Sequence, residues 1–278
     1  MVLDELYGCS LCYYLIYTIV SYLMTHTKNL YFFILIPLLL AVLSCSAGIE
    51  GQVREGGIAD LSLKSSLGPR TIALIRSLRG FMGDKENSPI LDGAAISRSM
   101  AAAPGVRTVS FKNPVSSAKD PAGQAAGSSL DGTISISNVG DFLSGGGIKA
   151  PSAGKFINYK EGKDAGSSSV KVTLDRDNAP NIISLLSPEA GDYLNALMAP
   201  AVLGETSTKQ EYLDLLTMVY GRSLSDEIAG ASFRAVIEFN RPIQSVQGGT
   251  AKGKKAEFDI PLVDLLTLEK PLVWEITW

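Results

Sequence analysis

Beyond residue 45 this chain of 278 residues contains no cysteine and no histidine; the three cysteines are Cys9, Cys12 and Cys45, and the single histidine is His26. A disulfide framework downstream is therefore excluded. So are Cys–His and Ser–His–Asp catalytic arrangements, and the usual transition-metal ligands are missing as well. Charge of one sign is equally scarce. The formal net charge is −3, and residues 1–44 carry Asp4, Glu5 and Lys28 of it. What remains is close to neutral and has no electrostatic footprint for nucleic acid. Hydrophobic residues make up 46% and charged ones 19%, enough apolar material for one large domain or two modest ones.

Short motifs add little chemistry. Residues 248–255 (GGTAKGKK) and 154–155 (GK) lack the spacing of a phosphate-binding loop and do not join a strand to a helix. Asp175, Arg176, Asp177 and Asn178 suggest oxygen ligands, but no glycine stands at the sixth place and no glutamate at the twelfth, so a turn explains them better. A Ser–Lys or carboxylate-pair enzyme has no positive support. The expectation is a protein that is not an enzyme, with no cofactor and no metal.

The leader is the informative part. Residues 24–29 form a short, weakly basic region with Lys28, and residues 30–43 (LYFFILIPLLLAVL) are uncharged. Fourteen apolar residues are too few to span a bilayer of ~30 Å comfortably as a helix. Ser44, Cys45, Ser46, Ala47 and Gly48 follow at once. This pattern resembles the signal peptide of bacterial lipoproteins, and the resemblance covers roughly residues 24–48. It implies that Cys45 receives diacylglycerol and becomes the new N-terminus after cleavage. The usual motif has Leu three residues before the cysteine and a small residue two before it. Val42 and Leu43 stand there, which is similar to the relaxed motif of spirochaetes. An ordinary transmembrane anchor with an incidental cysteine is the competing reading. The earlier apolar stretch, residues 6–23, is either a transmembrane segment or an over-extended start, with Met24 as the true one. Cys9 and Cys12 fall in it without a βαβ context, so a redox role is weakly supported. By analogy Ser46, standing where an Asp would retain the protein at the inner membrane, favours the outer one.

The expected organisation is a leader (1–44), an acylated N-terminus and tether (45–57) and a single α+β domain (58–278). Alternation predicts strands near 58–63, 106–112, 133–137, 156–159, 167–174, 233–239, 256–260 and 272–278. Helices are predicted from Pro69 to about Met82, from Ser88 and Pro89 to about Pro104, and from Ser187 through Met198. Two more are expected from Ser207 to Tyr220 and around 226–231. Serine-, alanine- and glycine-rich residues 114–132 and 144–155 read as loops. The fold class is thus α+β, an antiparallel sheet of about eight strands covered by amphipathic helices. VRTVSFKNP, TISISNVGDFL and FINYK can be set beside FRAVIEFNRP, AEFDIPLVDLL and VWEIT. Two similar halves, 58–163 and 167–278, are therefore one of two readings, the irregular spacing supporting the other.

Two helical stretches suggest contact with lipid. Residues 69–82 place Ile72, Ile75, Leu78 and Met82 along one side, with Arg76 and Arg79 beside it and no acidic residue. Residues 190–203 carry Tyr193, Leu194, Leu197 and Met198 with little charge. Aliphatic residues at this spacing usually pack into a core, and that reading competes in both cases. The expected function is a lipid-anchored cell-envelope protein whose helices contact membrane or an apolar ligand. A carrier of acyl chains and an assembly partner of another envelope protein are the alternatives. The expected partners are membrane lipid through acylated Cys45, and either an apolar ligand or an envelope protein, without nucleic acid. Labelled palmitate should enter the wild-type chain in cells and not Cys45→Ala; equal incorporation would remove Cys45 as the acylation site.

Overall fold

The computed structural model describes residues 46–81, 89–101, 105–113, 128–139, 142, 157–160, 162, 167–179 and 193–278. The leader, Cys45 and Met82 lie outside the described residues, as do 144–155 and residues 114–127 of the loop expected at 114–132, whose end from Ser129 is corrected to strand.

The chain enters the described fold directly through a strand. Ser46–Val53 forms β1, which alternates Ala47, Ile49, Gly51 and Val53 toward the core with Ser46, Gly48, Glu50 and Gln52 outward. A 3-10 turn at Glu55–Gly57 returns the chain as β2, Ala59–Ser66. The two strands pair antiparallel from Ser46↔Ser66 to Val53↔Ala59. Residues 45–57, expected as a tether, thus hold a central strand. Gly48 and Gly51 hide it from a propensity reading. Gly51 is required by close approach, since a Cβ there would overlap the Asp60 carbonyl and the Leu61 side chain.

Nine further strands follow: β3 (Val106–Lys112), β4 (Ser129–Ile136), β5 (Ile157–Lys160), β6 (Ser169–Leu174), β7 (Ser232–Phe239), β8 (Ser245–Gln247), β9 (Thr250–Lys252), β10 (Lys255–Pro261) and β11 (Leu272–Thr277). They do not make a single sheet. One sheet has the order β3-β4-β2-β1-β7-β10-β9 and the other β5-β6-β11-β8. All pairs are antiparallel except β1 with β7, which run parallel from Ser46↔Ser232 to Val53↔Phe239. The expectation of one antiparallel sheet of about eight strands is corrected accordingly, while the α+β class stands. Hydrophobic alternation finds strands but carries no information on partner or direction. Of the segments compared as two halves, β3 and β4 flank β2 through β4, whereas β7 and β10 flank β1 through β7.

Helices lie at α1 (Pro69–Phe81), α2 (Gly93–Ala101), α3 (Pro200–Leu203), α4 (Lys209–Tyr220), α5 (Arg222–Ala229) and α6 (Leu262–Thr267). Helix α2 starts later than Ser88 and Pro89 suggested. Asp92 is its cap, with Oδ1 accepting from the Ala95 N–H at 2.9 Å. The cap of α4 is Thr208, one residue past the expected Ser207. Thr208 and Glu211 form a capping box there, and the Thr208 N–H donates to Glu211 at 2.8 Å. That backbone bond, followed by the one from the Thr208 hydroxyl, holds the Glu211 carboxyl below its usual range. The expected helix through Met198 and beyond is interrupted. Residues 193–196 are helical, Met198 has φ 50°, and α3 starts anew at Pro200.

The core lies between the inner face of the larger sheet and the helices. Leu63, Leu130, Leu197, Tyr212, Leu216, Ile228, Leu262 and Leu266 are at most 2% exposed. Each such side chain contributes about 1.5–3 kcal/mol through burial. Asn113 ties α2 to the sheet: its Oδ1 accepts from the Gly93 N–H at 3.0 Å and its Nδ2 donates to Leu91 and Ser129 carbonyls at 2.6 and 2.9 Å. The Phe111 ring lies over Gly132, where a Cβ would overlap it. Gly132→Val should therefore destabilise the fold by about 1–3 kcal/mol in urea unfolding. Adding Phe111→Leu should recover part of that loss; an unchanged midpoint for the single variant would refute the contact.

Candidate functional site

The residues singled out on the two helical stretches are brought together, but largely inward. On α1, Ile75 is 7% exposed, and Ile72 and Leu78 are partly buried against the core. Arg76 is exposed; Arg79 is partly buried and its Nη1 donates to the Pro89 carbonyl at 3.2 Å. On the second stretch Tyr193, Leu194 and Leu197 are all buried, and Met198 is partly buried. The apolar side of α1 and the 193–197 turn therefore spend their hydrophobic surface on this protein's own core. Side chains so enclosed cannot reach a bilayer without opening the fold, and the sequence period alone could not tell an inner from an outer apolar face.

Glu227 on α5 is the residue that sequence reasoning missed. Its carboxylate accepts from the backbone N–H groups of Arg70 and Thr71 at 3.0 and 2.8 Å. Helix α1 has no acidic residue in its first turn, so its N-terminal donors and positive dipole end need a carboxylate from elsewhere. That missing acid was the available signal, although it could not point to position 227. A charge that would otherwise attract an external anion is satisfied internally.

Three tyrosines hold the neighbouring elements together. The Tyr193 hydroxyl donates to Thr71 Oγ1 at 3.5 Å, Tyr212 to the Leu197 carbonyl at 3.1 Å, and Tyr220 to the Ala196 carbonyl. Burial, and then the nearness of Tyr193 and Tyr220, pushes the Tyr212 phenol far above its ordinary value. Burial also raises Tyr220.

The remaining candidates are quiet. The 175–178 segment forms the expected turn. Asp175 Oδ1 accepts from the Asn178 N–H at 2.9 Å and Asn178 Oδ1 from the Asp175 N–H at 3.1 Å, so both oxygens serve backbone donors. Residues 248–255 run through β9 and a hairpin turn into β10. Among the described residues no group of three or more His, Cys, Asp or Glu is arranged to hold a metal ion, and no helix is long and apolar enough to cross a membrane.

One part of the larger sheet's inner face is less enclosed. Ile49, Leu61, Ile237 and Phe258 point to the core side, yet each is only partly buried. They surround Gly51 and Ala235 on the adjacent strands β2, β1, β7 and β10. The Leu61 side chain covers Gly51, and all four larger residues pack against the core.

No family model matches this chain, and no curated protein matches it. A solved structure, the NMR structure of the folded domain of the Mycobacterium tuberculosis LppM protein, is similar with a TM-score of 0.36 and 9% identity. The similarity covers 84% of this chain and 87% of that one. A likeness at this level assigns no activity.

The tyrosine cluster makes a pH prediction. Tyr212 keeps its proton when folded and releases it when unfolded above the ordinary phenol value of about 10. The unfolded state then binds fewer protons, so its contribution is fully present below about pH 10 and is lost as pH rises further. Tyr212→Phe should cost about 1 kcal/mol at pH 7 by removing the bond to Leu197, and should flatten the alkaline fall in stability. An alkaline slope identical to wild type in denaturant titrations would contradict this.

Proposed function

We propose that the chain is the precursor of a lipid-anchored cell-envelope protein, acylated on Cys45, that works by binding and not by catalysis. The observation carrying this reading is the junction at residues 30–46. An uncharged apolar run ends in a small residue and Cys45, and β1 starts at the next residue. Two or three acyl chains on Cys45, each buried methylene contributing on the order of 0.8 kcal/mol, would anchor the domain stably. The lipid then supplies the membrane affinity, because the apolar sides of α1 and the 193–197 turn are occupied within the fold.

A second reading, a carrier of acyl chains, would seat such a chain against the partly buried Ile49, Leu61, Ile237 and Phe258. Partly exposed aliphatic and aromatic groups on a core-facing surface would gain about 25 cal/mol for each Å² covered by such a chain.

Two measurements on residues 46–278, produced without acylation, test these readings. Flotation with neutral vesicles should leave the protein at the bottom of the gradient; flotation would mean that the domain itself enters the bilayer. Organic extraction followed by mass spectrometry should release a bound acyl lipid if the carrier reading holds, whereas an empty protein would remove that reading and leave the anchor.

A further inference from the structure

Ser46 places one end of the larger sheet next to residue 45. Ser46 is both the first residue of β1 and the residue after Cys45, so the attachment point lies one residue, about 3.8 Å, from the sheet. Strand β1 is central, with β2, β4 and β3 on one side and β7, β10 and β9 on the other. The sheet cannot hang away from such an attachment, because tilting either way lowers neighbouring strands onto the surface.

The residues at that end suit a headgroup layer. In register with Ser46 stand Ser66 on β2, Ser129 on β4 and Ser232 on β7. Four hydroxyl side chains thus line adjacent strands about 4.8 Å apart, and the Ser46 and Ser66 hydroxyls lie 2.9 Å from each other. None is bulky or charged, and each can exchange hydrogen bonds with water or lipid oxygens. Two residues further, about 7 Å along the strands, Lys64 stands opposite Asp131 and Arg234 opposite Asp259. These mixed charges give no strong pull toward an anionic surface.

The other end differs. Lys252 and Lys255 face each other across the β9–β10 hairpin, with Lys254 in the turn hydrogen-bonded to the Asn240 carbonyl beside Arg241; all four cations are exposed, and Glu238 stands opposite Lys255. It lies about 23 Å from Ser46 by strand length, more than two Debye lengths at physiological salt, each about 8 Å. Electrostatics would favour this basic end for an untethered domain, but a lipid on Cys45 keeps it out of range.

We infer that the end of the sheet carrying Ser46, Ser66, Ser129 and Ser232 rests on the headgroup surface of the anchoring bilayer, and that the Lys252–Lys255 hairpin points away from it. This rests on the reading that the leader attaches the chain to a membrane at Cys45. The test uses the full chain in cells able to acylate it, with Ser66→Cys, Ser232→Cys or Lys254→Cys labelled by an environment-sensitive dye, and palmitate incorporation followed in the same samples. Dyes at 66 and 232 should be several-fold better shielded from an aqueous quencher than the dye at 254. A flexible insert of about twenty residues between Cys45 and Ser46, with a root-mean-square length of about 25 Å, should abolish the difference. Equal or greater shielding at 254 in palmitate-labelled protein would overturn the orientation while leaving the anchor intact. The expected pattern in membrane-bound protein without palmitate would support the orientation and replace acylation by a retained leader. Release of unlabelled protein from membranes would overturn both.

Discussion

The pairing of β1 on both its edges is the interaction on which the larger sheet depends. Antiparallel bonds to β2 join it to the following hairpin, and parallel bonds to β7 join it to a strand about 185 residues further along the chain. Without β1, the β3-β4-β2 group and the β7-β10-β9 group would share no strand. Closing so long a loop costs conformational entropy, so the parallel pairing must be supported by packing on both sides. Val53, Ala59 and Phe239, in one row of the inner face across the three strands, provide that support.

The helices complete this arrangement with a few polar contacts at their ends. Glu227 receives the first N–H groups of α1, Asn113 holds α2 to the edge of β4, and the Tyr212 hydroxyl reaches the 193–197 turn. Each contact satisfies a backbone group that would otherwise be left without a partner near the core. The same economy removes chemistry from the 175–178 turn, where Asp and Asn oxygens are used on local backbone donors.

Function, on this structure, is a matter of placement. On the proposed reading that Cys45 is acylated, the strand that starts at the next residue leaves no spacer between membrane and fold. The larger sheet then has two unlike ends, a hydroxyl row next to residue 45 and a lysine-containing hairpin at the far side. Between them the partly buried Ile49, Leu61, Ile237 and Phe258 pack against the core.

Strands such as Ser232–Phe239 and Leu272–Thr277, the helix ending at Tyr220, and the α+β class were legible from period and punctuation, because alternation and capping are local. The leader pattern and the absence of histidine after residue 26 were equally plain. Strand β1 was not, since Gly48 and Gly51 weaken its local signal while close approach to β2 requires Gly51. Nor could Ile75, Tyr193 and Leu197 be assigned to a core or to a lipid surface, because both environments select the same apolar side chains. The sequence by itself determined many of the strands and helices, and that no cysteine or histidine follows residue 45. Tertiary structure alone decided the parallel β1–β7 pairing, the burial of the amphipathic faces and the carboxylate serving α1, since these join residues far apart in the chain.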